Sequence, residues 1–311
     1  MRLKGDSRAT RQAARIRVPA TTSNLGSGFD AVGLALKLYL VVEVLEIDSG
    51  PSRLEFSGLD SHLIPTDESN LVWQTMSEVA QAKGKSLPDF LLRIENQIPI
   101  AKGLGSSAAA ILAGAAAADF LCRLNFARES LLEIAAEREG HPDNAAPALM
   151  GGLVVSIGGE KTLCSKSQFP EEWAVVAVTP DYELQTKKAR AVLPEQIPHR
   201  DAVYNVQRAA FLMAQLAQGR REGLREAMAD RLHQPYRSAL IPGLAEILEL
   251  KDSQGMIGVA LSGAGSTVIA FADSHAEEIG EEIRGIFSRH HLTATVRLLK
   301  ADNEGLVISS S

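Results

Sequence analysis

The sequence of 311 residues is poor in cysteine, with Cys122 and Cys164 as its only two. Their number and separation favour two reduced, structural thiols in a reducing compartment over a disulfide or a metal site. Long apolar runs are also missing, because nowhere do about 18 apolar residues follow one another. The sequence therefore predicts no transmembrane helix.

A surplus of positive charge is lacking too. The formal net charge of −6 argues against general binding to nucleic acids or anionic membranes. The first fifteen residues are an exception, with five basic side chains and one acid: Arg2, Lys4, Arg8, Arg11, Arg15 and Asp6. Because they contain no apolar segment of the kind found in a secretory signal, we predict a disordered leader at 1–15 and a cytoplasmic protein.

The chain length predicts two domains. The spacing of apolar residues and turn formers predicts helices at 71–83, 106–124, 127–138, 202–218, 224–232, 242–251 and 274–290. It predicts strands at 36–47, 54–56, 90–94, 153–157, 173–178, 256–261, 267–271 and 293–299. The stretch from 160 to 170 is polar and irregular, so we place the domain boundary there, between an N-terminal domain (16–165) and a C-terminal domain (166–311). Strands and helices alternate in the second half, which indicates an α+β fold.

The most informative segment is the glycine–serine loop at 103–107, between an extended apolar stretch and an alanine-rich helix. Glycines allow a tight turn and a close approach of the backbone to a ligand. The free N–H groups and the positive dipole end of the following helix suit a phosphate. A plain strand-to-helix turn explains the glycines alone about equally well. The lysine of a Walker A loop and the distal acid of a dinucleotide-binding fingerprint are both missing.

Three other segments carry candidate polar groups. Residues 19–30 are rich in glycine and small polar side chains, and Asn24 with Asp30 suits an ammonium group, although an ordinary loop is the alternative. Residues 137–144 bring acids, a histidine and an amide to a helix end, where a carboxylate can hold magnesium. Residues 261–267 are glycine-rich and favour a hairpin turn. Five basic residues of the second half individually indicate surface charge, although an arginine among them can clamp a carboxylate: Lys187, Lys188, Arg190, Arg231 and Arg237.

Taken together, these segments resemble the motifs of the GHMP kinases. The run 98–109 resembles the ATP-binding motif of this family, 19–30 its first motif and 261–267 its third, over about 16–271 of the chain. Thr21 stands where the mevalonate kinases and galactokinases usually carry Lys or Arg. Thr21 and the run 141–144 together favour the GHMP kinases that act on homoserine. The resemblance implies an N-terminal domain like the second domain of ribosomal protein S5, a ferredoxin-like C-terminal domain, and an active site between them.

The resemblance also implies a role for each site residue. The adenine of ATP would lie near Asn70, and the phosphates would be wrapped by Pro99, Ile100, Ala101, Lys102, Gly103, Leu104, Gly105, Ser106, Ser107, Ala108 and Ala109. Mg²⁺ would be held by Ser107 and a glutamate, Glu139 in preference to Glu137. L-Homoserine would bind with its amino group at Asn24 and Asp30, and with its carboxylate at Arg190 and Arg237. Its hydroxyl would be surrounded by His141, Asp143, Asn144 and Thr186.

The residue next to the hydroxyl suggests a mechanism. Galactokinases and mevalonate kinases are thought to use an aspartate as base there, whereas Asn144 is an amide that takes up no proton at neutral pH. We therefore expect direct attack on the γ-phosphate, with Asp143 and Thr186 completing the catalytic set. Positioning and charge neutralisation would supply most of the acceleration. The expected product is O-phospho-L-homoserine, an intermediate of threonine synthesis.

Three alternatives remain at this point. The chain is a GHMP kinase for another small alcohol, a nucleotide- or metabolite-sensing relative without activity, or, more distantly, a Rossmann dehydrogenase. The sequence leaves the oligomeric state open, although relatives are often homodimers.

Overall fold

The computed structural model describes residues 13–48, 50–251 and 253–310. Most of the predicted leader lies outside these residues. The strands are β1 (Ala13–Ser23), β2 (Val32–Glu46), β3 (Arg53–Gly58), β4 (Phe90–Asn96), β5 (Leu153–Ile157), β6 (Leu163–Ser167), β7 (Ala174–Pro180), β8 (Met256–Leu261), β9 (Val268–Ala272), β10 (Ala294–Leu299) and β11 (Val307–Ser310). The α-helices are α1 (Leu71–Ala82), α2 (Ser106–Cys122), α3 (Arg128–Glu139), α4 (Ala145–Met150), α5 (Thr186–Ala191), α6 (His199–Leu216), α7 (Leu224–Ala227), α8 (Gln234–Ser238), α9 (Leu244–Leu248) and α10 (Ala276–Arg289).

A large sheet of the N-terminal half is organised around β2. The strand order is β11-β1-β2-β4-β3, with β5 beside β2 and β6 outside β5. β2 is rich in Val and Leu, as a strand covered on both sides requires. It pairs with β1 along one edge, while β5 and β4 share its other edge at 32–34 and 40–46. The register of β1 shifts after Pro19, which has no N–H to contribute to the ladder. Ser23, the last residue of β1, lines the cleft described below.

Helix α2 is the centre of the N-terminal half. Its side chains are small or aliphatic on all sides and mostly buried, as expected of an interior helix. At Gly114 a Cβ atom would lie 2.6 Å from the carbonyl oxygen of Val72, so the glycine allows α1 to pack closely against α2. The predicted helix at 106–124 is thereby confirmed, with its N-terminus at the glycine–serine loop.

The C-terminal half contains an antiparallel sheet of order β10-β7-β9-β8. Counted along the chain, these strands lie in the order 4-1-3-2, with helices after the first and third strands, which is the ferredoxin-like arrangement. Helix α10 packs across β7 and β10, and Gly280 allows it to approach Val176 and Val296 closely. The expected ferredoxin-like arrangement of the C-terminal half is therefore present.

The two halves share one hydrophobic core. The inner face of the C-terminal sheet, with Ile269 and Phe271, packs into the same cluster as Phe169 and the buried residues of α2. A second cluster lies on the outer face of this sheet, under α9 and α10. The end of the chain returns to the N-terminal sheet, because β11 pairs with β1.

Some local predictions were wrong. The polar stretch predicted to be irregular contains β6, which pairs with β5 in a way that local composition does not reveal. Ala13–Arg15, predicted as leader, lie in β1 because β2 and β11 flank them. Helix α7 is shorter than predicted, since the chain turns after Ala227 and the Asp230 carboxylate accepts three backbone N–H groups. Helix α9 is also shorter than the predicted 242–251. In the described ranges, the helices all fall short of the length and apolar character that a bilayer crossing demands.

Candidate active site

The four sequence segments meet at one cleft between the two halves. It is open to solvent and has a cavity volume of about 120 Å³. Its walls are formed by Ser23, Asn24, Asp30, Pro99, Ala101, Lys102, Gly103, Leu104, Gly105, Ser106, Ser107, Glu139, His141, Asp143, Asn144, Thr186, Arg190, Arg237, Gly263 and Ala264. Most residues that the sequence assigned to ATP, magnesium and an amino-acid substrate therefore lie around a single space.

The glycine–serine loop is shaped by close contacts beneath it. Gly105 is the N-cap of α2 with φ +70°, and a Cβ atom there would lie 2.0 Å from Thr21 Oγ1. Gly103 has φ +79°, and its Cβ would lie 2.2 Å from the Ser262 carbonyl oxygen. The Thr21 N–H also donates to the Leu104 carbonyl, at 3.1 Å. The loop is thus held from below, and the first N–H groups of α2 are left to bind an anion in the cleft.

Ser107 and Glu139 face each other across this anion site. The Ser107 hydroxyl donates to Glu139 Oε1 at 2.5 Å, and both side chains line the cleft. Glu137 is exposed and outside the lining, because residues two apart on a helix point in nearly opposite directions. A hydroxyl and a carboxylate beside a phosphate site suit Mg²⁺, which prefers oxygen ligands and takes others from phosphates and water. The residues present therefore fit this ion, with Glu139 as the carboxylate.

The Asn144 amide lines the cleft and lies in a network of short polar contacts. Thr21 Oγ1 is 2.8 Å from Asn144 Oδ1. Asn144 Nδ2 donates to Ser23 Oγ at 3.0 Å and to Asp143 Oδ1 at 3.2 Å. Thr21 and Ser23 belong to the end of β1, whereas Asn144 precedes α4, so the network joins two segments that are remote in sequence.

Next to this amide, the partly buried His141 and the buried Asp143 form a hydrogen-bonded pair. His141 Nδ1 lies 2.5 Å from Asp143 Oδ1. This hydrogen bond raises the pKa of His141, although burial opposes it. Burial also acts to raise the pKa of Asp143, but His141, Ser23 and Arg190 outweigh it, and the pKa of Asp143 is lowered overall. Asp143 is therefore an ionised acceptor at neutral pH and a poor general base.

On the opposite wall, Asp30 and Arg190 bind each other through two hydrogen bonds. Arg190 Nη2 donates to Asp30 Oδ1 at 2.8 Å and Nη1 to Oδ2 at 3.0 Å. The hydrogen bond with Asp30 raises the pKa of Arg190, against the effect of burial. Asn24 fixes this region, since its Oδ1 accepts from the Asp30 N–H and its Nδ2 donates to the Gly263 carbonyl. A carboxylate and a guanidinium are thereby presented side by side.

Arg237 lies behind this pair and is only 1% exposed. Its Nε donates to the Ala189 carbonyl and its Nη1 to the Gly263 carbonyl. Burial, followed by the charge of Arg190, lowers the pKa of Arg237 to about 10. In the described chain no hydrogen bond is made by Nη2 of Arg237, so this nitrogen is left for an anion in the cleft. Arg237, which taken by itself indicated surface charge, is thus buried beside the cleft, and its binding of the substrate carboxylate stays a prediction.

His233 holds Arg237 in place and was not found from the sequence. Its ring is fully buried, and burial lowers the pKa of His233. In the neutral ring, Nε2–H donates to the Gly26 carbonyl at 2.9 Å, so Nδ1 accepts from Arg237 Nη1 at 3.3 Å. The buried Asp230 lies on the same turn. The spacing of His233 and Arg237, four residues apart, was the one signal that the sequence offered.

Four residues assigned to ATP do not line the cleft. Asn70 caps α1, where its Oδ1 accepts from the Val72 N–H and its Nδ2 donates to the Pro65 carbonyl. Ile100 has its N–H bound by Asp60 Oδ2. Ala108 and Ala109 are buried in α2. Their predicted contacts with the nucleotide remain predictions.

Comparisons with known proteins agree with this architecture. The chain matches the family model described as "GHMP kinases N terminal domain" over residues 70–152 and "GHMP kinases C terminal" over 212–288. It is 42% identical over 296 residues to the homoserine kinase of Desulfitobacterium hafniense, covering 94% of this chain and 99% of that protein. It is 44% identical over 274 residues to the homoserine kinase of Solibacter usitatus, covering 88% and 89%.

A solved structure resembles the whole chain. The crystal structure of homoserine kinase from Cytophaga hutchinsonii superposes with a TM-score of 0.84 at 27% identity, covering 99% of this chain and 100% of that one. The fold, the cleft and the sequence relatives lead to the same result. The chain belongs to the GHMP kinase family and, within it, to the homoserine kinases.

Proposed function

We propose that the enzyme transfers the γ-phosphate of ATP to the side-chain hydroxyl of L-homoserine and releases ADP and O-phospho-L-homoserine. One observation carries the proposal. The glycine–serine loop with Ser107 and Glu139, the charged groups Asp30 and Arg190, and the Asn144 amide all line the same cleft. The proposed anion site, the proposed amino-acid site and a hydroxyl-orienting amide thus share one space.

The amino-acid side of the cleft suits a zwitterion. Asp30 is an acceptor for the substrate ammonium, while Arg190 and the Nη2 of Arg237 are donors for its carboxylate. When a zwitterionic substrate binds, the ion pair between Asp30 and Arg190 opens. Asp30 then accepts from the substrate ammonium, and Arg190 donates to the substrate carboxylate. A neutral alcohol offers neither, so the two residues stay bound to each other. This exchange supports selection of an α-amino acid over a simple alcohol.

The phosphate side holds ATP mainly through backbone groups. The N–H groups at the start of α2 and the loop 103–106 surround the phosphates, and Ser107 with Glu139 would hold Mg²⁺. When bound, this ion neutralises phosphate charge and so favours transfer. Lys102, with its Nζ near Pro180 and Asp181, supplies one further positive charge at the edge of the cleft.

The residues around the hydroxyl support a reaction without a dedicated base. The nearest carboxylate, Asp143, is paired with His141 and has a lowered pKa. The amide of Asn144 takes up no proton. The substrate oxygen forms a bond to the γ-phosphorus as the bond from that phosphorus to the β,γ-bridging oxygen breaks, and the hydroxyl proton passes to a phosphoryl oxygen. Positioning by Asn144, Thr186 and the loop supplies most of the acceleration.

We assign the reaction to threonine biosynthesis. The names of the relatives support L-homoserine as the substrate. The cytoplasmic location and a homodimeric state stay predictions from the sequence.

A coupled assay of ADP release tests the proposal, with Mg-ATP and a panel of L-homoserine, L-serine, L-threonine and 1-propanol. We expect turnover with L-homoserine well above that with the other alcohols, and ³¹P NMR should identify a phosphate monoester of L-homoserine as the product. Release of ADP without that ester would mean hydrolysis of ATP and contradict the proposal. Equal turnover of 1-propanol would contradict the assigned roles of Asp30 and Arg190.

A further inference from the structure

The side chain of Thr21 lies at the point where the phosphate loop and the Asn144 network meet. It is fully buried at the end of β1. Its hydroxyl is 2.8 Å from Asn144 Oδ1, on the side of the residue that faces Gly105. Its backbone N–H binds the Leu104 carbonyl. The backbone of Thr21 thus supports the loop, whereas its hydroxyl contacts the amide that faces the substrate.

The orientation of the Asn144 amide follows from its other neighbours. Asp143 is ionised and can only accept hydrogen bonds, so the group of Asn144 that faces it must be Nδ2. Ser23 Oγ accepts the second hydrogen of the same nitrogen. Both N–H bonds of the amide are therefore used by the protein, and Oδ1 is the atom turned toward Thr21.

This orientation fixes the direction of the Thr21 hydrogen bond. Because Asn144 Oδ1 is an acceptor, the Thr21 hydroxyl must donate its hydrogen to it. A carbonyl oxygen accepts two hydrogen bonds, and Thr21 occupies one direction. The second lone pair of Oδ1 is the part of the amide that remains for a ligand in the cleft.

We propose that Thr21 is a positioning residue for phosphoryl transfer: its hydroxyl anchors Asn144 Oδ1, so that the free lone pair of this oxygen accepts the hydrogen of the substrate hydroxyl. The substrate oxygen is then held with its own lone pair toward the γ-phosphorus. Without the Thr21 hydroxyl, the amide of Asn144 is held only through the hydrogen bonds of Nδ2. Rotation about the Cβ–Cγ bond is then less restricted, and Oδ1 no longer has one fixed position. The rate of transfer falls as the geometry broadens, while the charged groups that bind ATP and the amino acid stay in place.

Three substitutions at this position separate the hydroxyl from the rest of the side chain. Thr21→Val keeps the shape and removes the donor, Thr21→Ala removes the donor without a new contact against Gly105, and Thr21→Ser restores the donor. We expect kcat to fall about tenfold in the first two and to recover to within about threefold of wild type in the third. The KM values for ATP and L-homoserine should change by less than about twofold, since no binding group is lost.

Thr75→Val is the matched control. Thr75 is equally buried and its hydroxyl makes one hydrogen bond, to the Leu71 carbonyl within α1, away from the cleft. Its substitution should lower the melting temperature about as much as Thr21→Val but leave kcat within about twofold of wild type. Comparison of Thr21→Val with Thr75→Val therefore separates an effect on kcat from the loss of stability that follows removal of any buried hydroxyl.

A double-mutant cycle with Asn144→Ala tests whether Thr21 acts through the amide. In that background, itself expected to be about 100-fold slower, Thr21→Val should lower kcat by less than about twofold. Three results would overturn the proposal: an unchanged kcat in Thr21→Val, a full tenfold loss in the Asn144→Ala background, or an effect confined to the KM for ATP. The inference rests on the proposed function. If the wild-type enzyme fails to phosphorylate L-homoserine, the proposed function fails, whereas an active wild type with unaffected Thr21 variants refutes only the role of Thr21.

Discussion

The two walls of the cleft present different kinds of groups to a ligand. One wall, proposed to bind phosphate, is made of backbone N–H groups at the start of α2, of glycines with positive φ, and of the Ser107 hydroxyl and the Glu139 carboxylate. The opposite wall is made of charged side chains, Asp30, Arg190 and Arg237, which come from three distant parts of the chain. Except for Glu139, the first wall comes from one short segment of the sequence, whereas the second wall is formed only by folding.

This difference has a physical basis. A phosphate carries charge over several oxygens, and an array of N–H groups meets it without side chains that must be ordered. An amino-acid zwitterion has one positive and one negative group close together, so it requires one side chain of each sign in a fixed relation. Substitutions on the two walls should therefore have separable effects on the two substrates.

The largest difference between the effects on the two substrates is expected for Arg190→Ala. The change removes a carboxylate partner and leaves Asp30 without its bidentate neighbour. We expect kcat/KM for L-homoserine to fall about 100- to 1,000-fold, while the KM for ATP changes by less than about threefold. Initial rates at saturating ATP measure kcat/KM for L-homoserine. Arg231→Ala is the control, because Arg231 pairs with Asp201 at the surface, outside the cleft lining. An equal rise in the KM for ATP would mean that the two walls are not independent.

The next effect is expected on the phosphate wall, from Gly105→Ala. The new Cβ would meet Thr21 Oγ1 at 2.0 Å and displace the loop, so we expect the KM for ATP to rise about 100-fold. Gly84→Ala is a matched control, since Gly84 also has positive φ (+64°) but no atom within 4 Å of a Cβ. Both variants should lose about 1 kcal/mol of stability to backbone strain, and only Gly105→Ala should lose ATP binding. Calorimetric titration with a nonhydrolysable ATP analogue distinguishes them, and equal affinities would contradict the assigned loop.

A smaller effect sharpens the assignment of the magnesium ligand. Glu139→Gln keeps the shape of the side chain but weakens its oxygen as a ligand, so we expect the Mg²⁺ concentration for half-maximal activity to rise about tenfold. Glu137→Gln, on the exposed side of α3, should leave this concentration unchanged. Rates over a Mg²⁺ series measure both, and the reverse pattern would transfer the role to Glu137.

The smallest effect concerns pH and the pair of His141 with Asp143. The raised pKa of His141 means that its contribution to stability is complete below its ordinary pKa of 6.5 and is lost as pH rises through the folded value. The lowered pKa of Asp143 means that its contribution is complete above 3.8 and is lost as pH falls through the folded value. The melting temperature of wild type should exceed that of His141→Gln by about 2–4 °C between these limits, and the difference should shrink toward alkaline pH. A difference that grows above pH 6.5 would contradict the assigned pair.

The fold could be predicted where local sequence carries the pattern. Helix α2 followed from an alanine-rich run behind two glycines, and α10 and the strands of the C-terminal sheet followed from their periodicity. β6 and β11 could not be predicted, because polar edge strands are stabilised by a partner rather than by their own residues. The site residues were assigned from the resemblance to the GHMP kinases, which could be recognised because each motif is a short run of neighbouring residues, and most of them line the cleft.

The roles of buried polar residues could not be predicted in this way. His233 is an ordinary residue in the sequence, and Thr21 was noted there only as a difference from the mevalonate kinases and galactokinases; the hydrogen bonds of both to distant residues form only on folding. Arg237 was assigned to the substrate carboxylate by the resemblance, but its burial was not predicted.

By itself the sequence determined the backbone conformations proposed to bind phosphate, because positive φ at glycine and the start of a helix are properties of a few neighbouring residues. Only the tertiary structure decided the partners of the charged and polar side chains. Arg190 reaches Asp30 across 160 positions, and Thr21 reaches Asn144 across 123. A buried hydrogen bond or ion pair is stable only when both partners are brought together and shielded from water, and packing of the whole chain alone achieves that.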